Sequence, residues 1–95
     1  MIRVLLAEDQ ALVRGALAAL LELESDIKVI AQAQNGHEAL EQTQALLPDI
    51  VLTDIEMPIL SGLDLCAQIQ KLKKANPQLK TKVIIVTTLD RKSVV

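Results

Sequence analysis

The chain contains no phenylalanine, tyrosine or tryptophan. Any core it builds is therefore aliphatic, and the folded protein will be almost silent in near-ultraviolet absorbance and fluorescence. Cys66 is the only cysteine, which excludes an internal disulfide and a cysteine zinc cluster. His37 is the only histidine, so Cys-His and Ser-His-Asp catalysis have little to draw on. No apolar run approaches the roughly 18 residues of a membrane span, and the N-terminus lacks the pattern of a secretory signal. The net charge of -2 gives no basic footprint for nucleic acid. These absences leave a cytoplasmic module of at most one domain, with no membrane contact and no direct nucleic-acid binding.

What is present is apolar and ordered. Hydrophobic residues make up 51% of the 95, enough for a core and against disorder. Three β-branched-rich runs have the composition of buried parallel strands: Ile2 to Ala7, Ile50 to Thr53 and Val83 to Val86. Ile27 to Ala31 reads as a further strand.

Between the strands lie helical patterns. Gln10 to Glu24 carries Val13, Leu17, Leu20 and Leu21 on one face, and Ser25-Asp26 ends it. Asn35 caps a second helix with Ala39, Leu40, Thr43, Leu46 and Leu47 at helical spacing, closed by Pro48-Asp49. Ser61 caps a third, Gly62 permits a tight entry, and Leu65, Cys66, Ile69 and Leu72 form its buried stripe. Lys71 to Lys82 reads as a polar, lysine-rich connection broken by Asn76-Pro77, and there are no internal repeats. The order β-α-β-α-β-α-β predicts a doubly wound α/β domain, a mostly parallel sheet with helices on both faces.

Glu8-Asp9 follows the first run, Asp54 closes the second and Thr87 follows the last. In open α/β sheets, ligands sit in the crevice outside the carboxyl ends of the strands. Three carboxylates delivered to that edge repel one another unless a cation joins them. The pattern therefore predicts a divalent metal beside a phosphoryl group.

The chain as a whole resembles the receiver domain of bacterial two-component response regulators. The resemblance rests on Leu5-Leu6-Ala7-Glu8-Asp9-Gln10, Asp49 to Pro58, Ser61-Gly62-Leu63 and Val83 to Thr88, in order and at matching separations. The wording around Ala7 to Gln10 and Asp54 to Pro58 is most similar to receivers that precede a LuxR-type helix-turn-helix domain. The resemblance implies a flavodoxin/CheY-like sheet of strand order 2-1-3-4, with Asp54 as the phospho-acceptor for a sensor histidine kinase. It makes Glu8 and Asp9 the acidic pair that binds Mg²⁺ together with Asp54 and the backbone carbonyl of Glu56. The Glu56 side chain would overhang the phosphoryl site. Thr87 becomes the switch hydroxyl, preferred to Thr88 because the four apolar residues before it fix its register. Plainer readings stand beside these: Asp54 as a strand-end cap, Glu8 and Asp9 as acids favoured by a helix dipole, Glu56 as a solvated loop carboxylate.

The sequence also departs from the family pattern. A helix, a fifth strand with a phosphate-pairing lysine, and a last helix would follow the switch threonine; here residues 88–95 are too few for them, and Lys92 comes too soon for that lysine. Residues 1–95 thus read as a partial receiver, in which the usual output surface and DNA-binding domain are absent. The stub ending at Val95 favours a fragment of a longer regulator over a natural short module or a damaged gene. An uncovered sheet edge would then invite self-association into a homo-oligomer. Two other functions compete: a phosphorylation-independent module that binds a kinase or partner domain, and a Mg²⁺-dependent phosphatase of haloacid-dehalogenase type. Met57-Pro58 and the lack of a cap argue against the phosphatase.

Overall fold

The structure is a computed structural model and describes residues 1–86. Its elements are β1 (Ile2–Ala7), α1 (Ala11–Leu21), β2 (Ile27–Ala33), α2 (Gly36–Leu46), β3 (Ile50–Asp54), α3 (Gly62–Ala75) and β4 (Lys82–Val86). The strands are parallel, as the alternation of elements predicts, and stand in the order β2-β1-β3-β4 that the family resemblance implies. Right-handed crossovers place α1 against one face and α2 with α3 against the other. Thr87, Thr88 and Lys92 lie outside the described residues.

Several element ends differ from the sequence reading. α1 stops at Leu21, because the next amides turn back early: Leu23 N–H donates to Leu20 O at 3.2 Å and Glu24 N–H to Leu21 O at 3.1 Å. β2 continues to Ala33, since Gln32 and Ala33 pair with Leu6 and Ala7 although their composition gives no strand signal. α3 runs through Lys71, Lys73 and Lys74 to Ala75, so the first part of the supposed connection is helix. Lysines in a last helical turn sit favourably at the negative end of the helix dipole.

The remainder of that connection is not simply polar. Leu79 and Thr81 are buried, and the Thr81 hydroxyl donates to the carbonyl of Pro48 at 2.5 Å. At the same end of the sheet the Arg3 guanidinium donates to the carbonyls of Leu46 and Leu47, both at 2.9 Å. It thereby satisfies acceptors that the end of α2 would otherwise leave open.

The main core lies on the α2–α3 face: Leu5, Ala7, Ala33, Ala39, Val51, Met57, Leu65 and Ile69 are buried together. Each large aliphatic side chain there contributes roughly 1.5–3 kcal/mol by leaving water. Met57 belongs to this core although it lies in the loop between β3 and α3. Cys66, expected in the core, is half-buried, and Leu20 is 61% exposed. The fully buried residue of α1 is Ala18. On α2 the polar Thr43 is buried in place of Leu46 and Leu47, its hydroxyl satisfied by the Ala39 carbonyl at 2.7 Å.

Candidate functional site

Parallel strands deliver their carboxyl ends to one edge, and the acidic residues follow. Glu8 and Asp9 come directly after β1, and Asp54 is the last residue of its neighbour β3. Each of the three offers a carboxylate oxygen, and these oxygens all lie within 4.8 Å of one another. Glu8 and Asp54 are buried, while Asp9 is half-buried beside an open cleft that Gln10, Glu56, Met57, Pro58 and Leu63 also line.

The Asp54 and Glu8 carboxylates are each positioned by a main-chain amide. Ile55 N–H donates to Asp54 Oδ1 at 2.7 Å, and Ile55 O accepts from Gly62 N–H at 2.8 Å. The peptide after Asp54 is thus fixed between the end of β3 and the start of α3. Gln10 N–H donates to Glu8 Oε2 at 2.7 Å, and Arg14 Nη1 donates to the main-chain oxygen of Glu8 at 2.7 Å. The bond to Gln10 shows Glu8 serving the start of α1 as well as the cluster.

Burial pushes the Glu8 carboxyl above its ordinary value near 4.5. The hydrogen bond that protonated Glu8 donates to the Asp9 carboxylate and the negative charges of Asp54 and Asp9 push in the same direction, against the Gln10 amide. Hard carboxylate oxygens at this spacing suit Mg²⁺, which takes one or two carboxylates and otherwise water and phosphate oxygens. The donor set and the mutual repulsion both fit such a cation.

The loop between Asp54 and α3 packs main chain against main chain. A Cβ on Gly62 would overlap the Asp54 carbonyl, and one on Gly36 would overlap the Leu60 carbonyl. Neither glycine has a positive φ, so space and not conformation requires them. Leu60 N–H donates to Pro58 O at 2.8 Å across Ile59, whose φ of 73° is unusual for a β-branched residue. Ser61 then caps α3 by accepting from Asp64 N–H at 3.1 Å, and Asn35 caps α2 by accepting from Glu38 N–H at 2.8 Å. Both caps agree with the sequence reading. Gly36 and Arg14 were missed by it, since their partners are backbone carbonyls that leave no mark in a pattern of side chains.

A parallel α/β sheet with an acidic cluster at its carboxyl edge defines a receiver-like module. The chain belongs to the response regulator receiver domain family, whose pattern matches residues 4–95. It is 47% identical over 91 residues to the transcriptional regulatory protein YvfU of Bacillus subtilis, covering 96% of this chain and 43% of that one. With LnrK of the same organism, also a transcriptional regulatory protein, it shares 48% over 64 residues, which is 67% of this chain and 29% of that one. The chain therefore spans less than half the length of these relatives.

Solved structures agree. The receiver domain of the response regulator NarL from Mycobacterium tuberculosis superposes with a TM-score of 0.84 at 30% identity, covering 95% of this chain and 68% of that one. A LuxR-family DNA-binding response regulator from Staphylococcus aureus gives 0.82 at 37%, covering 96% and 72%. Among the described residues, no helix is long and apolar enough to cross a membrane.

Proposed function

We propose that this chain is the phospho-accepting switch of a two-component system, with Asp54 receiving a phosphoryl group from a sensor histidine kinase. The observation that carries the reading is the convergence of Glu8, Asp9 and Asp54 within 4.8 Å at the carboxyl edge of a receiver sheet. An oxygen of the Asp54 carboxylate attacks phosphorus in line, the P–N bond of the phosphohistidine breaks, and the imidazole leaves with its electron pair. An acyl phosphate on Asp54 results, as expected of a carboxylate nucleophile. The Ile55 amide orients the attacking carboxylate.

Glu8, Asp9, Asp54 and the backbone carbonyl of Glu56 would hold Mg²⁺, which supplies neutralisation of charge on the transferring group. The Glu56 side chain, half-buried at the cleft, is placed to influence how long the acyl phosphate survives. Thr87 takes the switch hydroxyl role, on its position directly after β4. The added charge of about two units gives the switch its driving force.

In this proposal the chain is a phosphoryl acceptor in the cytoplasm and not an enzyme acting on an external substrate. Within a longer protein it would govern transcription through a separate DNA-binding domain, as the similarity to transcriptional regulators and a LuxR-family protein supports. Residues 1–95 form part of that receiver. Self-association along β4 is part of the same reading: Ile84 is 46% exposed, with Val83, Ile85 and Val86 half-buried. Sedimentation over a range of concentrations tests it.

The deciding experiment is intact-protein mass spectrometry after incubation with acetyl phosphate and Mg²⁺. One phosphoryl adduct is expected, lost in Asp54→Asn and without metal. No adduct on a folded sample would overturn the reading and leave a phosphorylation-independent binding module in its place.

A further inference from the structure

Arg14 lies near the start of α1, and its side chain reaches back toward the end of β1. Helical side chains lean toward the N-terminus, so a long residue in the second turn covers the chain just before the helix. The atom it meets is the main-chain oxygen of Glu8, at 2.7 Å. Glu8 is thereby held at three points, since its N–H donates to Ala33 O at 3.0 Å and its Oε2 accepts from Gln10 N–H.

The peptide that Arg14 grips is the one joining Glu8 to Asp9, so it controls the relative placement of two of the three carboxylates. α1 has few other anchors at this end. Its N-cap residue Gln10 makes no side-chain cap, its first turn has no acidic residue, and among its residues only Ala18 is fully buried.

Building on the metal-site reading above, we infer that Arg14 is a positioning residue for the acidic pair, setting through the main chain where the Glu8 and Asp9 carboxylates stand and so tightening divalent-cation binding. Two effects of the guanidinium oppose each other. Its charge repels an incoming cation, and its hydrogen bond preorganises the ligands. Arg14 is half-exposed, so water and salt screen the repulsion. Partners that orient metal ligands are worth roughly 10–100-fold in affinity. Preorganisation wins on that comparison.

Calorimetric titration of the full chain with Mg²⁺, beside Arg14→Lys and Arg14→Met, tests the assignment. Arg14→Met should bind about tenfold more weakly. Arg14→Lys, which keeps the charge and an N–H donor but loses the planar guanidinium fork, should fall between it and the unaltered chain. Metal-free unfolding midpoints should not follow that order. Either variant matching or exceeding the affinity of the unaltered chain overturns the role, as does a metal-free stability ranking that accounts for the losses. Arg14→Lys alone decides the matter if Arg14→Met does not fold. An unaltered chain that binds no Mg²⁺ overturns the metal-site reading itself, and this role with it.

Discussion

The α-carbon of Gly62 sits against the main-chain carbonyl of Asp54, with no room for a β-carbon between them. The first residue of α3 and the last residue of β3 thus meet backbone to backbone, and the acidic edge is fixed by that approach. Gly62→Ala should cost about 1–3 kcal/mol, the usual penalty of overpacking a site that cannot yield. Urea unfolding followed by far-ultraviolet circular dichroism measures this, because the chain has no aromatic reporter.

Ile69 is fully buried between α3 and the sheet. Truncation to alanine leaves a cavity in an aliphatic core and should cost about 2–5 kcal/mol. The same unfolding assay checks it, and a loss well below 1 kcal/mol would show that the α2–α3 face collapses around the void.

Glu8 makes stability depend on pH. Its folded-state carboxyl titrates above the ordinary value near 4.5, so the folded chain favours the protonated form. That contribution is fully present below pH 4.5 and is lost as pH rises through the folded-state value. In metal-free buffer Glu8→Gln should therefore unfold at higher denaturant than the unaltered chain at neutral pH, with the difference shrinking toward acid. Added Mg²⁺ should stabilise the unaltered chain more than the variant.

Ile59 holds a φ of 73° in a loop where its side chain is 78% exposed. Glycine adopts that conformation without the steric cost, of order 1–3 kcal/mol, and gives up about 0.5–1 kcal/mol in chain entropy. Ile59→Gly should therefore raise stability, by up to about 2.5 kcal/mol, seen as a higher denaturation midpoint with an unchanged slope.

The parts of this molecule that were legible in its sequence are those written in side-chain type. β-branched runs such as Val83 to Val86 announce parallel strands, and acids placed directly after them announce Glu8, Asp9 and Asp54 as neighbours. Asn35 and Ser61 were readable because a cap needs a short polar side chain at one position. What escaped was written in main-chain acceptors: Arg14 on the Glu8 carbonyl, Thr81 on that of Pro48, Gly36 against that of Leu60. The polar reading of Lys71 to Lys82 failed for a related reason, as lysines line the outside of a helix whose stripe is set by Leu65 and Ile69. Thr87, read as the switch hydroxyl, lies outside the described residues.

The two sides of the sheet differ in how they would respond to compression. On the α2–α3 side, Ala33 and Ala39 are wholly buried, along with Leu65 and Ile69. On the α1 side a hollow of about 30 Å³ lies among Leu6, Leu17, Leu52 and Val86, directly beneath Glu8 and Asp54. Pressure removes such voids first. Hydrostatic loading should therefore draw in the α1 side beneath these carboxylates, so that compression is felt at the end of the domain that carries its chemistry.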